Sequence, residues 1–140
     1  MNVDLLNTAI DWACIAHRRQ LDRGQQPYIL HPLRVMLTCV KHGETAMLAA
    51  ILHDTVEDSG VSLEGIRRVF GTNVASTVDS VSRRNGEMYK EFIARAASHP
   101  IGRLVKIEDI KDNMLPERKV PGLKGLMQRY EKALALLEGH

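Results

Sequence analysis

The sequence predicts an all-α fold. Apolar residues recur at spacings of three and four along most of the chain. No segment alternates with the two-residue period of a strand, and Gly, Pro, Ser or Thr sit where the periodic stretches begin and end. From Val3 to Gln20, Leu6, Ile10, Ala13, Cys14 and His17 fall on one helical face. Gly24 and Pro27 mark the loop that follows. His31 to Lys41 reads as a second helix, with Pro32 tolerated in its first turn and Gly43 after its end. A third helix runs from Glu44 to about Thr55. Ser62 caps a fourth that ends at Phe70, before Gly71, and Thr72 is expected to cap a fifth that reaches Ser82. Glu87 to Ser98 and Ile101 to about Asn113 follow. The stretch "LPERKVPG" reads as an exposed loop, and Leu123 to Leu137 as a closing amphipathic helix. The expectation is one helical bundle of about seven to eight helices across residues 1–140.

Bulk properties exclude several classes. With 140 residues, 44% of them hydrophobic and 26% charged, the chain suits one soluble domain with a sizeable core. A net charge of +2 gives no electrostatic footprint for nucleic acid or membrane partners, and the few aromatic residues offer no base-stacking platform. Cys14 and Cys39 lie in apolar helical patterns without a CxxC spacing, so both are expected to be reduced core thiols. Asp4, Asn7 and Asp11 interrupt the N-terminal apolar residues, no basic n-region precedes them, and Met47–Leu52 is too short to span a bilayer. A cytoplasmic location is expected. No GxxxxGK[ST], GxGxxG or GxSxG motif is present. Met36, Met47, Met88 and Met127 fit core stripes. His17 fits a hydrogen-bonded structural histidine, while His42, His99 and His140 fit solvated helix ends, as do Arg83 and Arg84.

One stretch does not fit packing alone. In "AAILHDTVEDSG", an apolar segment runs directly into His53, Asp54, Glu57 and Asp58. On a regular helix His53 and Asp54 point about 100° apart, but spacings of three and four let the polar groups gather along one side or at a fraying last turn. A divalent cation would remove the repulsion among three carboxylates. In isolation, the same residues are also what a solvated helix end looks like. Two other stretches bear on the choice. "PYILHPLRV" places His31 at a helix start after a loop, and "LVKIEDIKDNM" places Asp109 inside an apolar helical run, where an acid needs a partner. Two imidazoles and two carboxylates from separate helices suit Mn²⁺, Fe²⁺ or Zn²⁺ and lean to Mn²⁺, with open positions for water and a substrate oxygen.

These blocks resemble the HD-domain phosphohydrolases, in particular the hydrolase domains of RelA/SpoT proteins and the small stand-alone alarmone hydrolases. "AHRRQLDRGQQPYILHP", "AAILHDTVEDSG", "FGTNVASTVDSVSRR" and "VKIEDIKDN" match that family's motifs in order over about residues 9 to 113. The resemblance implies that His31, His53, Asp54 and Asp109 bind one Mn²⁺, and that Glu57 and Asp58 together serve the water that attacks phosphorus. It also implies nucleotide contacts by Arg23, Lys106, Asn113 and, in a looser match, Tyr130. The implied reaction removes the 3′-pyrophosphate of (p)ppGpp, so the implied partner is a small-molecule nucleotide. Alternatives are an HD phosphohydrolase for another nucleotide, adenosine-based or a nucleoside phosphate, and a non-catalytic nucleotide-binding module. Two positions depart from the pattern. Asp22 stands where the family often has Arg, and an acid there would repel a phosphate or point away. Glu108 stands where Ala is usual.

Overall fold

A computed structural model describes residues 1–118 and 124–139, without the side chain of Asp58. His140, the start of the last predicted helix at Leu123 and the second half of the "LPERKVPG" loop lie outside the described residues. The described residues form helices α1 (Val3–Ala16), α2 (Leu30–Thr38), α3 (Glu44–Leu52), α4 (Thr55–Ser59), α5 (Leu63–Phe70), α6 (Thr72–Ser80), α7 (Tyr89–Ala97), α8 (Pro100–Asn113) and α9 (Lys124–Leu137), with 3-10 turns at Val40–His42 and Pro116–Arg118. The expected all-α class is borne out: among the described residues the sole strand-like feature is an isolated antiparallel bridge between Leu21 and Pro27. None of these helices is long and apolar enough to cross a membrane.

α3 is the centre of the larger core. Every residue from Ala46 to Leu52 is buried, because the helix is apolar on all sides and is covered by α1, α2, α6 and α8. A second cluster joins Phe92, Ile93 and Ala96 of α7 to Ile107 and Ile110 of α8 and to Ala133 and Leu137 of α9. α8 serves both, since its Val105 packs in the first cluster. That double role makes α8 a rigid platform for Asp109.

Helix starts follow local chemistry. The side chains of Asn2 and Ser62 accept backbone N–H groups of Leu5 and Gly65, capping α1 and α5. The expected cap at Thr72 is instead Gly71, whose φ of 96° both ends α5 and starts α6, a conformation that disfavours a side chain. His99 is no solvated helix end: its Nδ1 accepts from the Gly102 N–H and caps α8, and its Nε2 meets Ser76. Other expectations also change. Cys39 is buried, and desolvation pushes its thiol up to about 12, but Cys14 is exposed because the face of α1 that packs inward is set by Ala9 and Ala13. Met88 is exposed at the start of α7.

Two packing features generate predictions. α8 approaches α6 so closely that a Cβ at Gly102 would lie 1.9 Å from Ser80 Oγ. Gly102→Ala should therefore destabilise the protein by about 1–3 kcal/mol, read by urea denaturation. Arg95 of α7 donates to Glu87 and to the carbonyls of Asp79 and Ser82, fastening the α6–α7 connection. Its hydrogen bonds, joined by the Arg84 N–H, lower the Glu87 carboxyl to about 2. A depressed carboxylate stabilises fully above its ordinary pKa and loses that contribution as pH falls through the folded value. Glu87→Gln should therefore be less stable than the unsubstituted protein at pH 7, and the difference should close as pH falls from about 5 toward 2.

Candidate metal centre

The helix that carries His53 stops there. Asp54 has φ −93° and ψ −5° and opens α4, so the chain breaks between the two residues. The break is held locally. The Thr55 hydroxyl donates to the Leu52 carbonyl, and Ser82 Oγ, whose proton goes to the Val78 carbonyl at 2.7 Å, packs 3.4 Å from the carbonyl of His53. It also removes the angular problem of two adjacent ligands: His53 Nε2 lies 3.1 Å from Asp54 Oδ2. His31, in the first turn of α2, brings its Nε2 to 3.6 Å from Asp54 Oδ2 and 3.0 Å from Asp109 Oδ1. His53 Nε2 is 3.3 Å from Asp109 Oδ1. The four side chains that the sequence singles out thus converge from α2, from α8 and from the α3–α4 break.

The donor set fits a cation. At metal–donor distances of about 2.1 Å, neighbouring ligands of a tetrahedral or octahedral ion lie about 3.0–3.4 Å apart. Both histidines use Nδ1 elsewhere, His31 with Asp112 Oδ2 at 2.7 Å and His53 with the Ala50 carbonyl at 2.6 Å. Donation from Nδ1 leaves an Nε2 lone pair on each ring facing the carboxylates. His53 Nε2 is buried with no hydrogen-bond partner. His31, His53 and Asp54 have one ligand atom each within 4.8 Å of the others, while Asp109 lies outside that mutual set and approaches the two imidazoles.

Charge makes the same point. Burial opposes ionisation of Asp54, but the charges of His53 and His31 hold its carboxyl far below the usual range. Burial likewise opposes ionisation of Asp109, and Lys106 and His53 overcome it. Burial lowers the His53 pKa, but Asp54 and Asp109 raise it well above its ordinary value. Two carboxylates held ionised against desolvation attract protons to the imidazoles, and a divalent cation can take the place of those protons.

Beside this cluster lies a cavity of ≈ 540 Å³. Tyr28 and Asn113 separate it from the donor atoms: the Tyr28 hydroxyl donates to Asp54 at 2.6 Å, and Asn113 Nδ2 lies 3.5 Å from Asp109. Glu57 of α4 lines it and accepts the backbone N–H of Arg83. Desolvation raises the Glu57 pKa, and that N–H lowers it by less. Four arginines, Arg23, Arg83, Arg118 and Arg129, and three tyrosines, Tyr28, Tyr89 and Tyr130, are among its lining residues.

Most of the expected contact residues, Arg23, Asn113 and Tyr130, line this cavity. Lys106 does not. It is buried, donates to Asp109 at 2.7 Å and lies over the Phe92 ring, because the helical spacing of three points it at the carboxylate. The Asp58 side chain is outside the described residues. His17 is structural in its Nδ1, which meets Gln20, and its ring packs on Tyr28. Glu108 faces Lys41 and His42, away from the cavity.

Several residues were not singled out by sequence. Asp112 bonds His31, Arg34 and Arg118. Its helical offset of three from Asp109 was a usable signal, since both must lie near one face of α8. Arg83 is exposed after the end of α6, as expected, but also lines the cavity, and Arg118 is not part of a plain exposed loop; both reach the cavity through loop geometry that has no period to read.

Comparison with known proteins adds lineage. The HD-domain family model matches residues 9–107. A probable GTP pyrophosphokinase of Mycobacterium leprae is 34% identical over 131 residues, covering 86% of this chain and 17% of its own length. A guanosine-3′,5′-bis(diphosphate) 3′-pyrophosphohydrolase of Aquifex aeolicus is 33% identical over 119 residues, covering 78% of this chain and 17% of its own. The chain thus spans about a sixth of the length of these curated relatives. A solved structure of a metazoan SpoT ortholog, described as hydrolysing ppGpp, superposes with a TM-score of 0.79 at 24% identity, covering 99% of this chain and 88% of that one.

The donor geometry predicts metal binding directly. His53→Ala and Asp54→Ala should abolish stoichiometric binding of a divalent cation in calorimetric titrations. Asp112→Asn, which spares every donor atom, should weaken it by about 10- to 100-fold.

Proposed function

The chain belongs to the HD-domain family, and from that premise we propose that it is a metal-dependent phosphohydrolase that removes the 3′-pyrophosphate from (p)ppGpp-like nucleotides. The carrying observation is the juxtaposition of two things: four metal-type donor atoms within 3.0–3.6 Å of their neighbours, and an adjacent cavity lined by four arginines and three tyrosines. Guanidinium groups match a polyanion, and aromatic faces match a base. Of the relatives above, the Aquifex aeolicus protein is named for this hydrolysis, and the Mycobacterium leprae protein is named as a GTP pyrophosphokinase.

In this reading His31, His53, Asp54 and Asp109 hold one divalent cation, Mn²⁺ by the balance of its donors. When bound, the ion polarises a phosphoryl oxygen and eases proton loss from water. Glu57 and Asp58 orient the attacking water and take its proton; desolvation raises the Glu57 pKa, which makes its carboxylate a better proton acceptor. Arg23, Arg83 and Arg129 offset charge on the phosphates and the leaving pyrophosphate. Asn113 and Tyr130 line the nucleotide's place. Lys106 keeps Asp109 ionised from behind. Asp112, through Nδ1, fixes the tautomer of His31.

Product analysis tests this. The protein is stripped of metal, Mn²⁺ is restored, and ppGpp, ppApp, GTP and a nucleoside monophosphate are supplied separately. Pyrophosphate should be released from ppGpp and only with the ion present. Turnover of another nucleotide instead would keep the chemistry and replace the substrate; nucleotide binding without turnover of any would identify a binding module. Glu57→Gln should bind Mn²⁺ within about threefold of the unsubstituted protein and lose about 10²- to 10⁴-fold in kcat. Full kcat in both Glu57→Gln and Asp58→Asn would remove the proton-acceptor role.

A further inference from the structure

Asp22 is the residue that least suits a phosphate site, and its surroundings explain it. Its Oδ1 accepts the backbone N–H groups of Gly24 at 2.8 Å and Gln26 at 3.0 Å, closing the loop between α1 and α2 on itself. Its Oδ2 faces Arg118 Nε at 3.7 Å, with the two side chains only 5% and 11% exposed. Arg118 comes from a different loop, the turn that follows α8. The two loops touch elsewhere too: a Cβ at Gly24 would lie 3.0 Å from the Glu117 carbonyl oxygen.

Arg118 is held from four sides. It donates to Asp112 Oδ2 and Asn113 Oδ1, its guanidinium lies 5.8 Å from the Tyr28 ring centre, and Asp22 stands at Nε. Those neighbours lead back to the donor cluster by two routes, through Asp112 to His31 and through the Tyr28 hydroxyl to Asp54. A nearly buried guanidinium fixed this way at a cavity wall is pre-organised, and binding an anion there forfeits little side-chain entropy.

We propose that Arg118 is a phosphate-binding arm of this cavity and that Asp22 is its positioning residue, so that the acid in the first loop promotes polyphosphate binding instead of opposing it. The proposal rests on the phosphohydrolase reading of the same cavity and adds to it the source of the anion-binding charge. Asp22 stands where the family resemblance expects an arginine, so the pair returns a guanidinium to this wall from the other loop.

A double-substitution cycle on the whole chain separates this from simple repulsion. The variants are Asp22→Asn, which keeps an oxygen for the Gly24 and Gln26 N–H groups, Arg118→Gln, and both together. Two readouts are taken: ppGpp affinity of metal-free protein by calorimetry, and KM and kcat with Mn²⁺. Arg118→Gln should weaken binding about tenfold or more and raise KM with kcat within about twofold. Asp22→Asn should weaken binding about three- to fivefold alone and add nothing once Arg118 is gone. Tighter binding in Asp22→Asn, or an equal effect in both backgrounds, would overturn the positioning role, and unchanged binding in Arg118→Gln would overturn the arm. If the unsubstituted protein neither binds nor hydrolyses ppGpp, the substrate reading has failed by itself, and inorganic pyrophosphate takes its place as the probe. Weaker pyrophosphate binding by Arg118→Gln then sustains the arm; unchanged or undetectable binding by the unsubstituted protein overturns it.

Discussion

The break between His53 and Asp54 follows the most buried helix of the molecule. α3 is apolar on every face and has no solvated side on which to place a charge, so its polar ending has to be satisfied by other elements. Two carboxylates and two imidazoles meet there with little or no exposure. Uncompensated, each buried charge would cost several kcal/mol. Compensation requires α2 to deliver His31, α8 to deliver Asp109 and Lys106, and the Ala50 carbonyl to take His53 Nδ1. The mutual placement of α2, α3 and α8 is thereby tied to one cluster of oppositely charged groups, and the hydrophobic contacts of those helices hold its ångström-scale geometry.

That dependence explains what could be read from the sequence. Periodicity exposed α1 because burial on one face of a helix repeats at three and four residues, and α3 stood out as an unbroken apolar run. His31, His53, Asp54 and Asp109 stood out because each is a polar residue inside or beside an apolar run, where it must have a partner. Boundaries were less legible. Nothing periodic distinguishes Thr55–Ser59 from a continuation of α3, and the turn there is held by a single hydroxyl, that of Thr55 on the Leu52 carbonyl. The exposed side of α1 was misread at Cys14 because a sulfur-bearing residue next to an inward Ala13 satisfies the same spacing rule.

The cavity was the least legible part for a related reason. Its arginines come from the first loop, the α6–α7 connection, the turn after α8 and α9. A loop residue has no period that announces where it points. Arg83 could be located only once its own N–H was seen on Glu57, and Arg118 only once Asp112, Asn113 and Asp22 were seen around it. Residues in the helices were placed by pattern, and those in the loops by partners distant in sequence.

Lys106 shows how the two regions divide the available charge. A lysine in the middle of a motif invites assignment to a phosphate, yet its ammonium group is buried against Asp109 and Phe92. Burial alone would lower its pKa, but the charge and hydrogen bond of Asp109 raise it, so it remains a cation whose field falls on the donor cluster. The cluster needs that charge, since Asp109 stays ionised against desolvation largely through it. The positive charge facing the cavity must then come from elsewhere, and it comes as guanidinium groups. Arginine is suited to that place: it stays charged when partly desolvated, offers planar paired donors to phosphate oxygens, and stacks on rings, as Arg129 does on Tyr89 at 3.5 Å. The lysine in α8 therefore maintains the carboxylate, and the arginines on the cavity wall are left to meet an anionic ligand.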